Sequence, residues 1–571
     1  MTDTETTAEA AATGAGGQSR SAAGAGGSAV HTPNERTAAS ARPSPGPVQA
    51  ADSAPHGPVE RERTVAVIGT GTMGQGIAQV ALLAGHPVRL YDAAPGMARE
   101  AARTIGGRLD RLVAKGRLAE DERDAALGRL HEAADLSDLA DAALVVEAIA
   151  ERLDIKRELF AGLEKTVSDD CLLATNTSSL SVTAIAGALR LPGRFVGLHF
   201  FNPAPLLPLV EVVSGFATDE AAADRAYATA AAWGKTPVRC ADTPGFIVNR
   251  LARPFYAEAL RLYEERAADP ATIDAVLRES GGFAMGPFEL TDLIGQDVNE
   301  AVTRSVWEAF FQDPRFTPSL AQRRLVESGR LGRKSGQGWY PYGEGETRPA
   351  PHTAAPAPAP EAVTVHGDLG PAAVLLELME TAGVTVHRGE DPGDDRPGWI
   401  ELPGGTRILL ADGGPADLGA APEIHLDLAL DYRTATRVAL GPAAGVPAAC
   451  LEAAIGLFQA LGKQVSVIAD VPGLIVTRTV AMLVDLALDA VRRGVASAED
   501  IDTAMRLGVN YPRGPLAWGG ELGLDRVLET LFLLHDEYPG GRYAPSQELR
   551  RRVAGLRAAT GKSAIGKGER S

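Results

Sequence analysis

Arg63-Thr64-Val65-Ala66-Val67-Ile68-Gly69-Thr70-Gly71-Thr72-Met73-Gly74 is the stretch on which the fold turns. An apolar, β-branched run stops at a glycine, and the spacing G-x-G-x-x-G leads into a helical pattern over 74–84. In that setting Gly69 permits a tight turn, Gly71 lets the backbone approach a pyrophosphate, and Gly74 lets helix and strand pack closely, with Thr72 and Met73 between them. Val88-Arg89-Leu90-Tyr91 reads as the next strand, and Asp92 falls at its tip, 23 residues after Gly69. Its carboxylate would accept hydrogen bonds from a ribose 2′-hydroxyl and repel a 2′-phosphate, so NAD rather than NADP is the expected cofactor.

Outward from this core, residues 97–134 have helical spacing with a break at Lys115-Gly116, a helical excursion from the sheet. Strands resume at Ala143-Leu144-Val145-Val146, Leu172-Leu173-Ala174-Thr175 and Phe195-Val196-Gly197-Leu198. Strands and helices alternating at these lengths indicate an α/β, doubly wound parallel sheet over 61–243. From Pro244 the texture changes to helical patterns at 247–264, 270–278 and 291–311 with no good strand, an all-α domain over 244–344. Residues 345–360 form a stiff Pro/Ala linker.

Beyond the linker the chain repeats itself. Pro244-Gly245-Phe246-Ile247-Val248-Asn249-Arg250 matches Pro472-Gly473-Leu474-Ile475-Val476-Thr477-Arg478, Ile273-Asp274 matches Ile501-Asp502, and Gly286-Pro287 matches Gly514-Pro515, all at one offset (514 − 286 = 228). The helical domain is therefore duplicated, with its second copy over 471–560. The segment 361–470 carries strand-like runs at Val363-Thr364-Val365-His366, Ile408-Leu409-Leu410 and Ile424-His425-Leu426, and reads as a degenerate α/β copy.

A length of 571 residues corresponds to roughly four domain-sized units, and 45% hydrophobic with 23% charged residues is ordinary globular composition. The net charge of −17 argues against nucleic acid as a partner. Cys171, Cys240 and Cys450 are too scattered for a disulfide framework or a zinc site, and no metal is expected; the reading is a reducing cytoplasm. Residues 1–60 are Ala, Gly, Ser, Thr and Pro with almost no large apolar side chains, a disordered tail rather than a signal peptide, and 561–571 is a second tail. No apolar run approaches the ~20 residues needed to span a bilayer, so no membrane partner is expected.

The chemistry gathers in Leu198-His199-Phe200-Phe201-Asn202-Pro203 and Leu209-Val210-Glu211-Val212-Val213. An ionisable Glu211 inside an apolar strand needs a partner, since an unpaired buried charge is costly. A carboxylate on one imidazole nitrogen of His199 would fix its tautomer and make it a general base. Asn176-Thr177-Ser178-Ser179 follows a strand at the carboxyl edge, where open α/β sheets bind ligands. Ser178 could meet a reacting oxygen, or the segment could simply cap a helix over 181–189. Asn249, on an otherwise apolar helix start, reads on its own as a buried amide packed between domains.

These motifs, with Val145-Val146-Glu147-Ala148-Ile149, Gly286-Pro287-Phe288-Glu289-Leu290 and the segment 332–340, resemble the L-3-hydroxyacyl-CoA dehydrogenase family in order and spacing over about 63–342. The resemblance implies a Rossmann-like domain and NAD-linked, reversible oxidation of a 3-hydroxyacyl-CoA, as in β-oxidation, with His199 as base and Glu211 as its partner. Ser178 and Asn249 would orient the substrate oxygen. Asn202, Glu151, Lys156 and Lys334 match the family's cofactor contacts, with Ser178 among them, and Lys115 lies near where the family touches CoA phosphates. The layout is similar to that of longer bacterial members, including those that oxidise 3-hydroxyadipyl-CoA in phenylacetate breakdown; 3-hydroxybutyryl-CoA is the other substrate considered. The second half has Thr477 where the first has Asn249 and no G-x-G-x-x-G or His-Phe-Phe-Asn-Pro before it, so a single active site is expected. Because shorter members dimerise through the helical domain, the second copy is expected to serve as an internal mock partner through the apolar faces 475–488 and 251–262, with a further homo-oligomer open. A free hydroxy or sugar acid as substrate, or a non-catalytic NAD-binding scaffold, are the competing readings.

Overall fold

The computed structural model of the chain describes residues 57–391, 393, 397–416 and 421–560. The tail expected over 1–60 falls outside these residues as far as position 56, and that over 561–571 does so entirely. Strand β1 (Thr64–Ile68), buried at every residue, runs up the middle of an eight-stranded sheet. After it come α1 (Thr72–Leu83), β2 (Val88–Tyr91), α2 (Met97–Ala114), α3 (Glu120–Gly128), β3 (Leu130–Glu132), β4 (Ala142–Glu147), α4 (Leu153–Thr166), β5 (Leu172–Thr175), α5 (Val182–Ala186), β6 (Phe195–Phe200), β7 (Leu209–Ser214), α6 (Glu220–Ala232) and β8 (Thr236–Ala241). The strand order is β3-β2-β1-β4-β5-β6-β7-β8.

Two expectations are corrected here. The sheet is not parallel throughout, because β7 runs antiparallel to β6. The connection over 201–208 is too short for the crossover that a parallel neighbour requires. Residues 97–134 are not helical throughout either; Leu130–Glu132 pairs with β2 as an edge strand.

The first helical layer comprises α7 (Val248–Leu251), α8 (Arg253–Glu264), α9 (Pro270–Glu279), α10 (Pro287–Ile294), α11 (Gln296–Ala309) and α12 (Leu320–Glu327). The helix expected over 247–264 is interrupted at Ala252, beside Pro254, whose ring has no N–H to give and starts α8. That expected over 291–311 is divided at Gly295, whose φ of 105° a side chain would rarely adopt.

The second half opens on β9 (Ala362–His366), α13 (Leu375–Thr381), β10 (Thr385–Arg388), β11 (Trp399–Glu401), β12 (Arg407–Leu410), β13 (Glu423–Leu426), β14 (Arg437–Pro442), α14 (Ala448–Ala460) and β15 (Gln464–Val467). It closes on α15 (Val476–Arg492), α16 (Ala498–Gly508), α17 (Pro515–Leu522), α18 (Leu524–Glu537) and α19 (Gln547–Thr560). Its seven-stranded sheet, in the order β10-β9-β11-β12-β13-β14-β15, mixes parallel and antiparallel pairs, with β11 antiparallel to both neighbours. The 228-residue offset reaches back into this sheet: β14 reproduces β7, and α14 reproduces α6 (448 − 220), residue for residue. The repeat therefore includes the last strands of the α/β unit as well as the helices. The Pro/Ala linker is not a free spacer. Ala354 N–H donates to the Val465 carbonyl, and Ala357 N–H to the Gln459 side chain, so it lies along the second sheet.

Repeated motifs have repeated causes. Asp274 accepts the N–H groups of Phe288 and Glu289 at the start of α10, and Asp502 accepts those of Leu516 and Ala517 at the start of α17. A Cβ on the adjoining Gly286 or Gly514 would strike those carboxylates, which explains the paired Ile-Asp and Gly-Pro.

The two copies meet along α8 and α15, inside one continuous apolar core. Reciprocal contacts join them: Ala241 N–H donates to the Val495 carbonyl at 2.8 Å, and Ala469 N–H to the Ala267 carbonyl at 3.0 Å, each residue the repeat equivalent of one in the other bond. Arg250 crosses to Asp489, and its equivalent Arg478 crosses to Glu258 and, through both terminal nitrogens, to Glu265. Glu258 is fully buried; burial alone would raise its carboxyl, yet Arg542, Arg478 and the Tyr543 hydroxyl hold it down to about 2.

Candidate active site

The antiparallel turnover of β7 is what makes the centre. It sets His199 directly opposite Glu211 in the β6–β7 register. His199 Nδ1 lies 2.6 Å from Glu211 Oε2, and both side chains are buried. The other carboxylate oxygen accepts the Ile247 N–H at 3.0 Å and the Val248 N–H at 2.9 Å, at the start of α7. Glu211 thus ties the sheet to the helical layer while holding the ring. A carboxylate can only accept, so Nδ1 carries the proton and Nε2 keeps its lone pair for a substrate. Phe201 and Phe246 pack against the imidazole, with centroids at 4.5 and 5.7 Å.

Ser178 sits in a loop held from below. One oxygen of Glu151 accepts the N–H groups of Ser178 and Ser179 and the hydroxyls of Thr177 and Ser179. Burial would raise the Glu151 carboxyl, but these hydrogen bonds and the Lys156 charge bring it below the usual range. Lys156 itself is buried, bonded to Glu147 and 3.4 Å from Glu151. Its ammonium lies under the loop. Glu147 also accepts the Thr175 hydroxyl and the Ile149 N–H, and sequence reasoning gave it no role of its own. A glutamate ending the apolar run Val145-Val146 was the available signal. The Asn249 amide reaches the Ser178 carbonyl at 3.4 Å, whereas the Ser178 hydroxyl has no hydrogen-bond partner among the described residues. Asn176, also unassigned from sequence, accepts the Phe200 N–H and fixes the end of β6. Asn202 is exposed just beyond that end.

The glycine loop has the form a dinucleotide needs. Gly69 has a φ of 88°, and a Cβ there would sit 2.6 Å from the Ala148 carbonyl oxygen. On Gly74 a Cβ would fall 1.8 Å from the Gly69 carbonyl oxygen. Gly71 faces open space, and the start of α1 at Thr72 and Met73 has no side-chain cap, which leaves backbone N–H groups for an anion. Asp92 is already engaged with the Thr70 N–H and hydroxyl, both at 2.8 Å. Those bonds and one from Ala94 outweigh its partial burial and keep its carboxyl below the usual range. Lys115 is exposed at the end of α2, and Lys334 stands in the helical layer paired with Asp297; no contact joins either to the His199 group.

Comparison with known proteins agrees with this arrangement. The model for the 3-hydroxyacyl-CoA dehydrogenase NAD binding domain matches residues 64–243, and that for the C-terminal domain matches 245–342 and again 473–564. The chain is 46% identical to the 3-hydroxyadipyl-CoA dehydrogenase of Escherichia coli over 86% of its own length and 97% of the relative's. The chain belongs to the 3-hydroxyacyl-CoA dehydrogenase family. It is an NAD-dependent oxidoreductase, consistent with the loop geometry above. A 3-hydroxybutyryl-CoA dehydrogenase of Mycobacterium tuberculosis is 42% identical over 49% of this chain and 98% of its own. The crystal structure of a 3-hydroxybutyryl-CoA dehydrogenase from Escherichia coli is similar with a TM-score of 0.79, at 44% identity over 87% of this chain and 99% of that one.

Residues 408–472 match the family's 3-hydroxybutyryl-CoA dehydrogenase reduced Rossmann-fold domain. At the position equivalent to His199 stands Asp427; at that of Glu211 stands Ala439. Asp427 reaches from the opposite strand to the same anchor, accepting the N–H groups of Ile475, Val476 and Thr477. Burial pushes its carboxyl up to about 6 against the pull of these bonds.

Proposed function

We propose that the protein reversibly oxidises a short-chain (S)-3-hydroxyacyl-CoA to the 3-ketoacyl-CoA in the cytoplasm, with one active site in its first half. The buried His199–Glu211 pair, 2.6 Å apart and anchored to the helical layer, carries this reading. His199 Nε2 takes the proton of the C3 hydroxyl while Glu211 stabilises the imidazolium that forms. Bound at the glycine loop, NAD supplies the hydride acceptor for C3. The unpartnered Ser178 hydroxyl and the Asn249 amide orient the substrate oxygen and disperse charge that develops on it. Gly69, Gly71, Thr72, Met73, Gly74 and Asp92 form the dinucleotide cradle. Glu151 and Lys156 hold Ser178 at its edge, Asn202 borders it, and Lys334 closes on it from the helical layer. Lys115 meets the CoA phosphates. Three free cysteines fit a reducing compartment.

The second helical copy stands in for a partner subunit, with the α8–α15 contact as the internal counterpart of a two-fold interface; a further homo-oligomer is compatible with it. Initial rates of NADH oxidation with 3-ketoacyl-CoA esters of increasing length test the reaction. The wild type should turn over, and His199→Ala should lose about 10³-fold in kcat with NADH affinity kept. Unchanged turnover in His199→Ala would remove the mechanism.

A further inference from the structure

Glu211 spans a gap. Its own strand, β7, forms one wall and α7 the other, and the geometry at His199 depends on their spacing. α7 has four residues, too few to be held by its own hydrogen bonds, so what packs on it fixes its place. The second copy meets this assembly at three points, with α16 packed on β7, β8 and α7. Asp489 of α15 pairs with Arg250 of α7 at 3.1 Å. The Val495 carbonyl, just before α16, accepts the Ala241 N–H at the end of β8. Gly508, the last residue of α16, lies against Leu209 of β7 and Val248 of α7.

Leu209 comes two residues before Glu211, so both side chains leave the strand on one face. Val248 gives Glu211 one of its two N–H groups. Gly508 therefore touches both walls of the gap that the carboxylate bridges. A Cβ there would lie 2.7 Å from Leu209 Cδ2 and 3.0 Å from Val248 Cγ2, and both neighbours are buried. The backbone of Gly508 is helical, so its missing side chain is a matter of space and not of conformation. The repeat equivalent of this contact does carry a side chain. Position 280 (508 − 228) is the buried Ser280, whose hydroxyl donates at 2.7 Å to the carbonyl of Arg437, the equivalent of Leu209. Behind that contact stand Asp427 and Ala439 in place of the histidine and glutamate. The side chain is absent on the side where a wedge would part His199 from its carboxylate.

We propose that Gly508, in the second copy, is a positioning residue for the active site of the first: by letting α16 close on β7 and α7 together, it sets how Glu211 meets His199. The second half then takes part in turnover without touching substrate. This rests on the reading of the His199 centre given above.

The test assays the full chain carrying Gly508→Val with NADH and acetoacetyl-CoA. Its kcat should fall about 10²-fold, the cost of roughly 1 Å of misplacement, with KM for the ester and Kd for NADH within about twofold of wild type. Gly508→Ala should lose about tenfold and carries the same comparison if the valine variant does not fold. Leu209→Ala added to either variant reopens the space and should restore most of kcat. Ser280→Ala is the control on the other side of the repeat: its melting temperature should fall while kcat stays at wild type. Wild-type kcat in both Gly508 variants, or a kcat that simply tracks the melting temperature across the whole set, would overturn the proposal. A second readout needs no turnover. Selective ¹⁵N labelling of histidine reports the bonding of the His199 Nδ1–H to Glu211, the signal being assigned by its loss in His199→Ala. A weakened bond in the Gly508 variants of an enzyme that reduces no keto ester would retire the reaction and keep the Gly508 assignment. An unchanged bond would retire the assignment.

Discussion

At the scale of single residues, Glu211 does two jobs with two oxygens. Oε2 faces His199 Nδ1 and Oε1 collects two backbone N–H groups of the helical layer. Glu211→Gln separates them. The amide oxygen must stay on the two N–H donors, which turns the NH₂ toward His199. An NH₂ can only donate, so the ring must present its lone pair at Nδ1 and carry its proton at Nε2, where it cannot act as a base. The expected result is a fall of about 10²- to 10³-fold in kcat with KM for the acyl-CoA and the melting temperature close to wild type. A variant with wild-type kcat would show that the tautomer does not matter. Lys156 teaches the complementary lesson. The family resemblance implied contact with a cofactor, and in the fold its ammonium lies buried against Glu147, at the end of the strand just before its own helix.

Elements show how the same sequence pattern is built differently in the two halves. In the first half the pair Gly197–Val213 leaves room on one strand and bulk on the other; in the second the bulk changes sides, as His425–Gly441. The carboxylate that anchors the helix changes strands in the same way, from Glu211 to Asp427. Pro254 interrupts the first helix, and its equivalent Met482 lets α15 run unbroken. The glycine loop gives the sharpest test at this scale. Gly71→Ala meets no atom within 4 Å and has a φ of −67°, so the protein should fold with an unchanged melting temperature. Its methyl would stand where the pyrophosphate comes closest, and the Kd for NADH should rise about tenfold or more. Gly74→Ala, whose Cβ would lie 1.8 Å from a carbonyl oxygen, should instead lose stability by about 3 kcal/mol. Calorimetry of NADH binding beside thermal melts checks both, and wild-type affinity in Gly71→Ala would move the cofactor elsewhere.

For the whole molecule, the second half is tested by taking it away. Deleting residues 345–571 leaves Glu258 and Glu265 without Arg478 and Arg542, and Arg250 without Asp489. It also uncovers the apolar side of α8. An unpaired buried charge costs about 3–5 kcal/mol, so the shortened chain should aggregate or pair with a second copy of itself. Light scattering and the NADH assay read the outcome; a soluble, monomeric and active product would dismiss the idea of an internal partner.

Residue types and spacing alone determined the glycine loop, the acid after β2, the histidine and glutamate twelve residues apart, and the repeat at a constant offset. Each of these is local, or periodic along the chain, and needs no knowledge of what packs where. Tertiary structure decided the rest: the antiparallel turn of β7 that brings His199 to Glu211, the burial of Lys156, and the reach of the repeat into the second sheet. Those depend on which way strands run and how layers close on one another, and burial, which sets the cost of a charge, exists only once the chain has closed around it.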